Sequence, residues 1–194
     1  MISLSSSANA QFIGINADYA IDYSAAPGKV SGYSVGIAHP APFIPNIGYS
    51  YVSFIDKETI TDPDNGTSSV SLATTTTIKT INLFYNIPFP VVTITVGFGY
   101  GADNLNTGVE TITTIVENEG DKVTSESKKS VAEAFFHIGL PFWNTVEFHL
   151  GYHLMSFTSI DITSKKSVDF DGSYTIDEKS YSGGMTTIGV QVAF

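Results

Sequence analysis

Glutamate and histidine lie close together in the stretch "EFHLGYH", and both residue types can bind a metal ion or transfer protons. The stretch contains Glu147, His149 and His153. Two histidines four residues apart share one face of a helix and can bind one metal ion there. On a strand the same spacing separates them by roughly 13 Å, at about 3.3 Å per residue. The chemistry open to these residues therefore depends on the element that carries them.

Apolar residues alternate with small or polar residues in eight segments of the chain, which is typical of β-strands. The alternation is clearest in "VTITVGFGYG", where every second side chain is apolar and the others are Thr or Gly. The eight segments span residues 12–23, 30–39, 46–56, 74–87, 92–101, 131–140, 145–154 and 183–194. Each segment is long enough to cross a bilayer as a tilted strand, and the chain has no run of apolar residues long enough for a membrane-spanning helix. Since "EFHLGYH" lies in the seventh strand, we expect no ion to be bound by both histidines, and we predict no catalytic, cofactor-binding or metal-binding residue.

The connections between the segments are alternately short and long. Three short ones, at residues 39–46, 86–91 and 140–145, carry Pro and aromatic residues. The polar connections lie near residue 27 and at about 57–71, 102–130 and 157–181. The three long ones contain "DPDNG", "ENEGD" and "DFDG", which we interpret as hairpin turns rather than calcium loops. This arrangement predicts an all-β, eight-stranded antiparallel up-and-down barrel with both termini at its short-turn end.

The composition excludes several classes of function. The chain of 194 residues has a net charge of −10 and no arginine, which argues against a nucleic-acid partner. It has no cysteine, so disulfides and thiolate metal sites are excluded. Charged residues make up 14% of the chain, far fewer than the roughly 25% of soluble domains.

The direction of the alternation decides whether the barrel is soluble or membrane-spanning. The less apolar face consists mostly of Gly, Ser, Thr, Ala and Asn, too small and uncharged for a water-exposed exterior but suited to the interior of a narrow barrel. The apolar face carries aromatic residues near the segment ends, as in the girdles of membrane barrels. They are Tyr23, Tyr51, Tyr85, Tyr100, Phe142 and Trp143. We therefore predict that the apolar face contacts lipid.

The last strand ends in alternate apolar residues and a terminal aromatic ring: Ile188, Val190, Val192 and Phe194. Residues 12–194 resemble the small eight-stranded Gram-negative outer-membrane barrels of the OmpA and OmpX type. The resemblance implies a transmembrane barrel with short periplasmic turns, periplasmic termini and long extracellular hairpins. It also implies contact with outer-membrane lipids and lipopolysaccharide, and recognition of the terminal strand by the barrel assembly machinery. Residues 1–11 are expected to be a leader or tag remnant.

Eight titratable residues are assigned to the interior face of this barrel. They are Asp18, Asp22, Lys79, Glu133, His137, Glu147, His149 and His153. They could form a path for protons or ions. We favour a network of mutually satisfied polar groups, because buried charges persist only when they are paired.

The predicted function is that of a non-enzymatic membrane anchor that displays hairpins outside the cell. Residues 102–130 are the expected contact surface, as an extension of strands five and six whose edges could pair with a protein partner. One alternative is a narrow channel for small apolar molecules, with Gly97, Gly99, Gly151 and Gly189 providing internal space. A second is a lipid A-modifying enzyme, for which Ser156 lies near His153 without a recognisable motif. No cofactor is expected for the favoured function.

Overall fold

The computed structural model describes residues 13–41, 43–61, 69–116, 122–143, 145–157 and 181–194. Within these ranges the chain forms ten β-strands and a three-residue 3-10 turn. The strands are β1 (Gly14–Tyr23), β2 (Val30–Ala38), β3 (Asn46–Thr61), β4 (Ser69–Pro88), β5 (Thr93–Gly101), β6 (Gly108–Val116), β7 (Lys122–Lys129), β8 (Val131–Trp143), β9 (Val146–Phe157) and β10 (Gly183–Ala193). The described part contains no helix long and apolar enough to cross a membrane. The leader and the motifs "DPDNG", "ENEGD" and "DFDG" lie outside the described residues.

Eight of the strands close into a ring. β1 pairs antiparallel with β2 on one side and with β10 on the other, so the first and last strands join. Antiparallel pairs of β2 with β3, β3 with β4, β4 with β5, β5 with β8, β8 with β9 and β9 with β10 complete it. Closure gives every strand of the ring two neighbours, so the ring itself has no edge strand. The predicted eight-stranded antiparallel barrel is confirmed.

β6 and β7 form a hairpin that extends the barrel wall beyond the ring. β4 pairs with β5 along Ile81–Pro88 and with β6 along Ser71–Lys79, so β6 replaces β5 as the neighbour of β4. The connection between β5 and β6 contains the 3-10 turn. Gly108, at the start of β6, adopts a φ of 106°, which favours glycine. β7 pairs with β6 and leads into β8 after one residue. The predicted extension of strands five and six is therefore present.

Side chains alternate between the two faces of the wall as the sequence predicts. On β9, Phe148, Leu150 and Leu154 are 52–55% exposed, whereas His149 and His153 are buried. The same alternation runs along β1, β2 and β8. The apolar residues therefore cover the outside of the barrel.

β1 departs from this alternation near its end. Its pairing with β10 shifts register between Ala20 and Asp22. Ile21 and Asp22 are both exposed, whereas Tyr23 is 2% exposed. Because a bulge inserts one extra residue and reverses the parity that follows, Tyr23 points inward and Asp22 outward. The predictions of Tyr23 in the outer girdle and Asp22 in the interior are wrong.

The interior near the long connections is apolar, which the sequence analysis did not predict. Phe54, Ile78 and Val131 are each at most 2% exposed there. Tyr23 joins this layer, and its hydroxyl donates a hydrogen bond to the backbone carbonyl of Tyr181. The other members are Ala20, Val52, Val109, Met155, Phe157, Tyr181 and Met185. This apolar layer occupies the interior between the long connections and the polar residues.

Candidate functional site

Histidine and carboxylate side chains from three strands form a polar layer in the barrel interior, on the short-turn side of the apolar layer. β1 contributes Asp18, β8 contributes Glu133 and His137, and β9 contributes His149 and His153. All five are between 0% and 5% exposed. They meet because each occupies an inward position of a strand, and paired strands bring such positions together.

One carboxylate orients two of the histidines in series. The Thr80 hydroxyl donates to Glu133 Oε2 at 2.5 Å, and His153 Nδ1 lies 2.5 Å from Glu133 Oε1. Because a carboxylate only accepts hydrogen bonds, His153 Nδ1 donates and the neutral ring has its lone pair on Nε2. His137 Nε2 lies 3.0 Å from that atom and donates to it. The lone pair of a neutral His137 is therefore on Nδ1.

A second carboxylate orients His149 in the same way. Glu147 Oε1 accepts a hydrogen bond from His149 Nε2 at 2.7 Å, and its other oxygen accepts one from Thr93 Oγ1 at 2.5 Å. This bond leaves the lone pair of a neutral His149 on Nδ1. Both free Nδ1 atoms, on His137 and His149, face Asp18.

The Asp18 carboxylate has no hydrogen-bond donor among the described residues, although its side chain is fully buried. Its Oδ1 lies 3.8 Å from His137 Nδ1 and 3.7 Å from His149 Nδ1, too far for hydrogen bonds. One ligand atom from each of the three residues lies within 4.8 Å of the others. Asp18, His137 and His149 are therefore the described residues best placed to hold a metal ion.

The interior glycines provide space that neighbouring side chains fill. A Cβ at Gly189 would overlap the Asp18 carboxylate, and one at Gly151 would overlap His137. A Cβ at Gly97 would overlap the ring of Phe135. The space that the sequence analysis attributed to a conduit is occupied at these positions.

Lys79 does not join the polar layer. On β4 the inward positions are taken by even-numbered residues such as Thr80 and Asn82, which are buried. Lys79 lies on the opposite face with its side chain 32% exposed, and its Nζ is 3.8 Å from Glu110 Oε2 of β6. The physical reason is the two-residue period of the strand, which separates Lys79 from its neighbour Thr80.

The hairpin of β6 and β7 lies at one end of the sheet that the described residues form. β7 is the last strand in the sheet order. The parts of β3 and β4 that extend past β5 form a four-stranded sheet with β6 and β7. Lys128 Nζ lies 3.4 Å from Glu126 Oε1 and 3.6 Å from Asp103 Oδ1. The hydrogen bond with Glu126 and the charge of Asp103 raise the pKa of Lys128. The hairpin therefore presents charges of both signs to its surroundings.

The terminal residues lie on the outer face of the closing strand. Ile188 is 50% exposed, Phe194 is 70% exposed, and Val190 and Val192 are half-buried. The backbone N–H of Phe194 donates to the carbonyl of Ile13 at 2.9 Å. The ring of Phe194 thus sits at the rim of the barrel next to the first strand.

A closed eight-stranded barrel with an apolar exterior is the architecture of the small outer-membrane barrels that the sequence resembles. Neisserial surface protein A (13% identity, TM-score 0.48) and the N-terminal barrel domain of Pseudomonas aeruginosa OprF (13%, 0.47) are similar over 94% of this chain and 96% of theirs. The outer-membrane protease OmpT of Escherichia coli is 12% identical with a TM-score of 0.49, over 85% of this chain and 64% of that one. No protein-family model and no curated protein sequence matches the chain. At these identities the likeness concerns the fold alone.

Proposed function

We propose that this chain is a non-enzymatic outer-membrane protein whose barrel anchors a displayed β-hairpin. The observation that carries the proposal is the apolar exterior. Large side chains such as Leu140, Leu150 and Leu154 are 55–57% exposed around the ring. Soluble proteins rarely leave a contiguous apolar patch of more than a few hundred Å² uncovered. A belt of this kind is stable in contact with outer-membrane lipids and lipopolysaccharide.

The hairpin of β6 and β7 is the proposed contact surface, displayed outside the cell while both termini face the periplasm. β7 ends the described sheet, and an edge strand can accept an extended segment of a protein partner through backbone hydrogen bonds. The ion pairs of Lys128 with Glu126 and Asp103 place charges beside that edge. Charges of both signs favour a partner segment with a complementary charge pattern.

Delivery of the chain is assigned to its last strand. Ile188, Val190, Val192 and Phe194 present one apolar row on the outside of β10 and its end. We assign this row to recognition by the barrel assembly machinery, which must bind the chain before the ring closes.

Two alternatives have less support from the described residues. For a channel of small apolar molecules, the space above the interior glycines would have to be open, yet side chains occupy it at Gly97, Gly151 and Gly189. A detectable flux of small apolar molecules through the reconstituted protein would restore this alternative. For a lipid-modifying enzyme, Ser156 and His153 would have to meet, yet Ser156 is exposed outside and His153 is buried inside. Modified lipid A on expression would restore that one.

Cysteine labelling on intact Gram-negative cells tests the placement, since the chain has no native cysteine. Three single variants are compared with a membrane-impermeant maleimide: Lys128→Cys on the hairpin, Phe43→Cys in the short connection between β2 and β3, and Leu150→Cys on the belt. We expect labelling of Lys128→Cys on intact cells, of Phe43→Cys only after the outer membrane is permeabilised, and of Leu150→Cys only after denaturation. Labelling of Phe43→Cys but not Lys128→Cys on intact cells would contradict the proposed orientation. A soluble, fully labelled Leu150→Cys protein would contradict the membrane assignment.

A further inference from the structure

We propose that Asp18, His137 and His149 form a binding site for a first-row divalent transition metal, with zinc as the reference ion, inside the barrel. The three side chains come from β1, β8 and β9, and each is at most 2% exposed. The proposal is independent of the hairpin and its partner.

Three buried groups converge here without forming hydrogen bonds to one another. Both oxygens of Asp18 and the Nδ1 atoms of His137 and His149 lack a hydrogen-bond partner among the described residues. A buried polar atom without a partner is costly, and a cation bound between the three side chains would supply a partner to one atom of each. When both rings are neutral, the lone pairs on the two Nδ1 atoms repel the carboxylate, and a cation bound between them removes this repulsion.

The distances between these groups are compatible with one bound ion. In a tetrahedral zinc site with bonds of about 2.0–2.1 Å, neighbouring ligand atoms lie about 3.4 Å apart. Asp18 Oδ1 lies 3.8 Å and 3.7 Å from the two Nδ1 atoms. These distances exceed a hydrogen bond and are close to the spacing of ligands around one ion.

Each histidine of the site is oriented by a hydrogen bond from its other ring nitrogen. A histidine that binds a metal through one nitrogen usually donates its other N–H to a carboxylate or another acceptor, which fixes the ring. His149 donates directly to Glu147, and His137 donates to His153, which in turn donates to Glu133. Both candidate ligands therefore carry the supporting hydrogen bond that a metal site requires.

The donor set selects the kind of metal. Two imidazoles and a carboxylate suit zinc, iron, nickel or copper, whereas magnesium and calcium prefer oxygen ligands. The buried carboxylates of Asp18 and Glu133 and the partly buried carboxylate of Glu147 lie in or next to the cluster. A divalent cation there would offset the charge of Asp18, whose oxygens have no hydrogen-bond donor among the described residues.

The expectation that His149 and His153 cannot share one ion is compatible with this site. The partner of His149 is His137, on the neighbouring strand. Gly139 pairs with His149 and His137 pairs with Gly151, so the two histidines are diagonal neighbours across the β8–β9 pair. Gly189 of β10 lies between Asp18 and His149 and pairs with both of them, so the Asp18 side chain approaches the histidines across a residue without a side chain.

Metal retention by the full-length protein tests the proposal. The protein is refolded in detergent with Zn²⁺ present, passed through a desalting column, and assayed for zinc per chain by mass spectrometry. Affinity is measured by competition with a chromophoric chelator. We expect one zinc per wild-type chain and at least a tenfold weaker affinity in Asp18→Asn and His137→Gln. The matched control is His39→Gln, because His39 lies in the connection between β2 and β3, where its ring contacts Pro45 and Ala41.

Cobalt replaces zinc in a second measurement that needs no variant. Wild-type protein refolded with Co²⁺ should show visible absorption bands of a low-coordinate site, and X-ray absorption should show scattering from two imidazoles. This measurement decides the question even if Asp18→Asn fails to fold. Wild-type protein that retains neither ion would overturn the proposal. Retention that is unchanged in folded Asp18→Asn, or lost in His39→Gln, would overturn it as well, since the ion would then lie elsewhere.

Discussion

Asp18 and Gly189 face each other across the pairing of β1 and β10, and the Asp18 carboxylate occupies the space in which a side chain at position 189 would lie. Gly189→Ala should therefore displace the carboxylate and lower the free energy of unfolding by about 1–3 kcal/mol, as overpacking usually does. Urea unfolding in detergent measures the change. The control is Gly28→Ala, because a Cβ there has its nearest neighbour at 3.9 Å. Equal stabilities of the two variants would contradict the packing around Asp18.

Glu133 and Glu110 provide a matched pair of buried and exposed carboxylates. Glu133 binds Thr80 and His153 in the interior, whereas Glu110 is 33% exposed beside Lys79. Glu133→Ala should cost about 3–5 kcal/mol of unfolding free energy, because it leaves buried partners unpaired. Glu110→Ala should cost about 0–1 kcal/mol, as exposed ion pairs do. Similar costs in urea unfolding would show that Glu133 is not held in a buried network.

Deletion of residues 108–124 should leave a folded barrel, because the deleted part of the hairpin contributes no strand to the closed ring. Val109 is 2% exposed in the apolar layer, so its loss should lower stability by about 1.5–3 kcal/mol. The folded form is detected by its gel mobility without heating and by β-type circular dichroism. A shortened chain that fails to refold in detergent would place this segment within the barrel proper.

Removal of Phe194 should impair assembly in cells far more than stability in detergent. The ring is 70% exposed at the barrel rim, and its burial in lipid contributes at most about 1.5–3 kcal/mol. An assembly signal acts before folding is complete, so its loss reduces delivery. The expected pair of results is a low yield in the outer membrane and near-normal refolding from urea. Normal membrane yield would make Phe194 ordinary lipid-facing packing.

The barrel could be predicted because a strand has a period of two and each interior position lies between two exterior ones. The period also placed His137, His149 and His153 inside. It failed at Tyr23, where a bulge reverses the parity, since no residue type in "AIDY" marks an inserted residue. The apolar layer was not predicted because Phe54 and Ile78 occupy inward positions that carry small or polar residues elsewhere in strands three and four.

The proposed metal cluster depends on register, which alternation alone does not fix. The short connection between β8 and β9 could have suggested that His137 and His149 are diagonal neighbours, because a tight hairpin fixes its own register. The position of Asp18 follows from the pairing of β1 with β10, strands separated by almost the whole chain. No local pattern encodes that pairing, so the convergence of Asp18 with the histidines required the structure.

The fluorescence of Trp143 reports whether the apolar exterior is in contact with lipid. Trp143 is the only tryptophan, is 67% exposed, and lies at the short-turn end of β8. In vesicles of brominated lipid, we expect the emission of Trp143 to be quenched strongly by bromine near the headgroup and weakly by aqueous acrylamide. Leu150→Trp, in a Trp143→Phe background, should be quenched by bromine deeper in the acyl chain. The opposite result would be emission from both tryptophans that is quenched by acrylamide and unchanged by brominated lipid. It would contradict the contact with lipid, because the apolar face would then be in water.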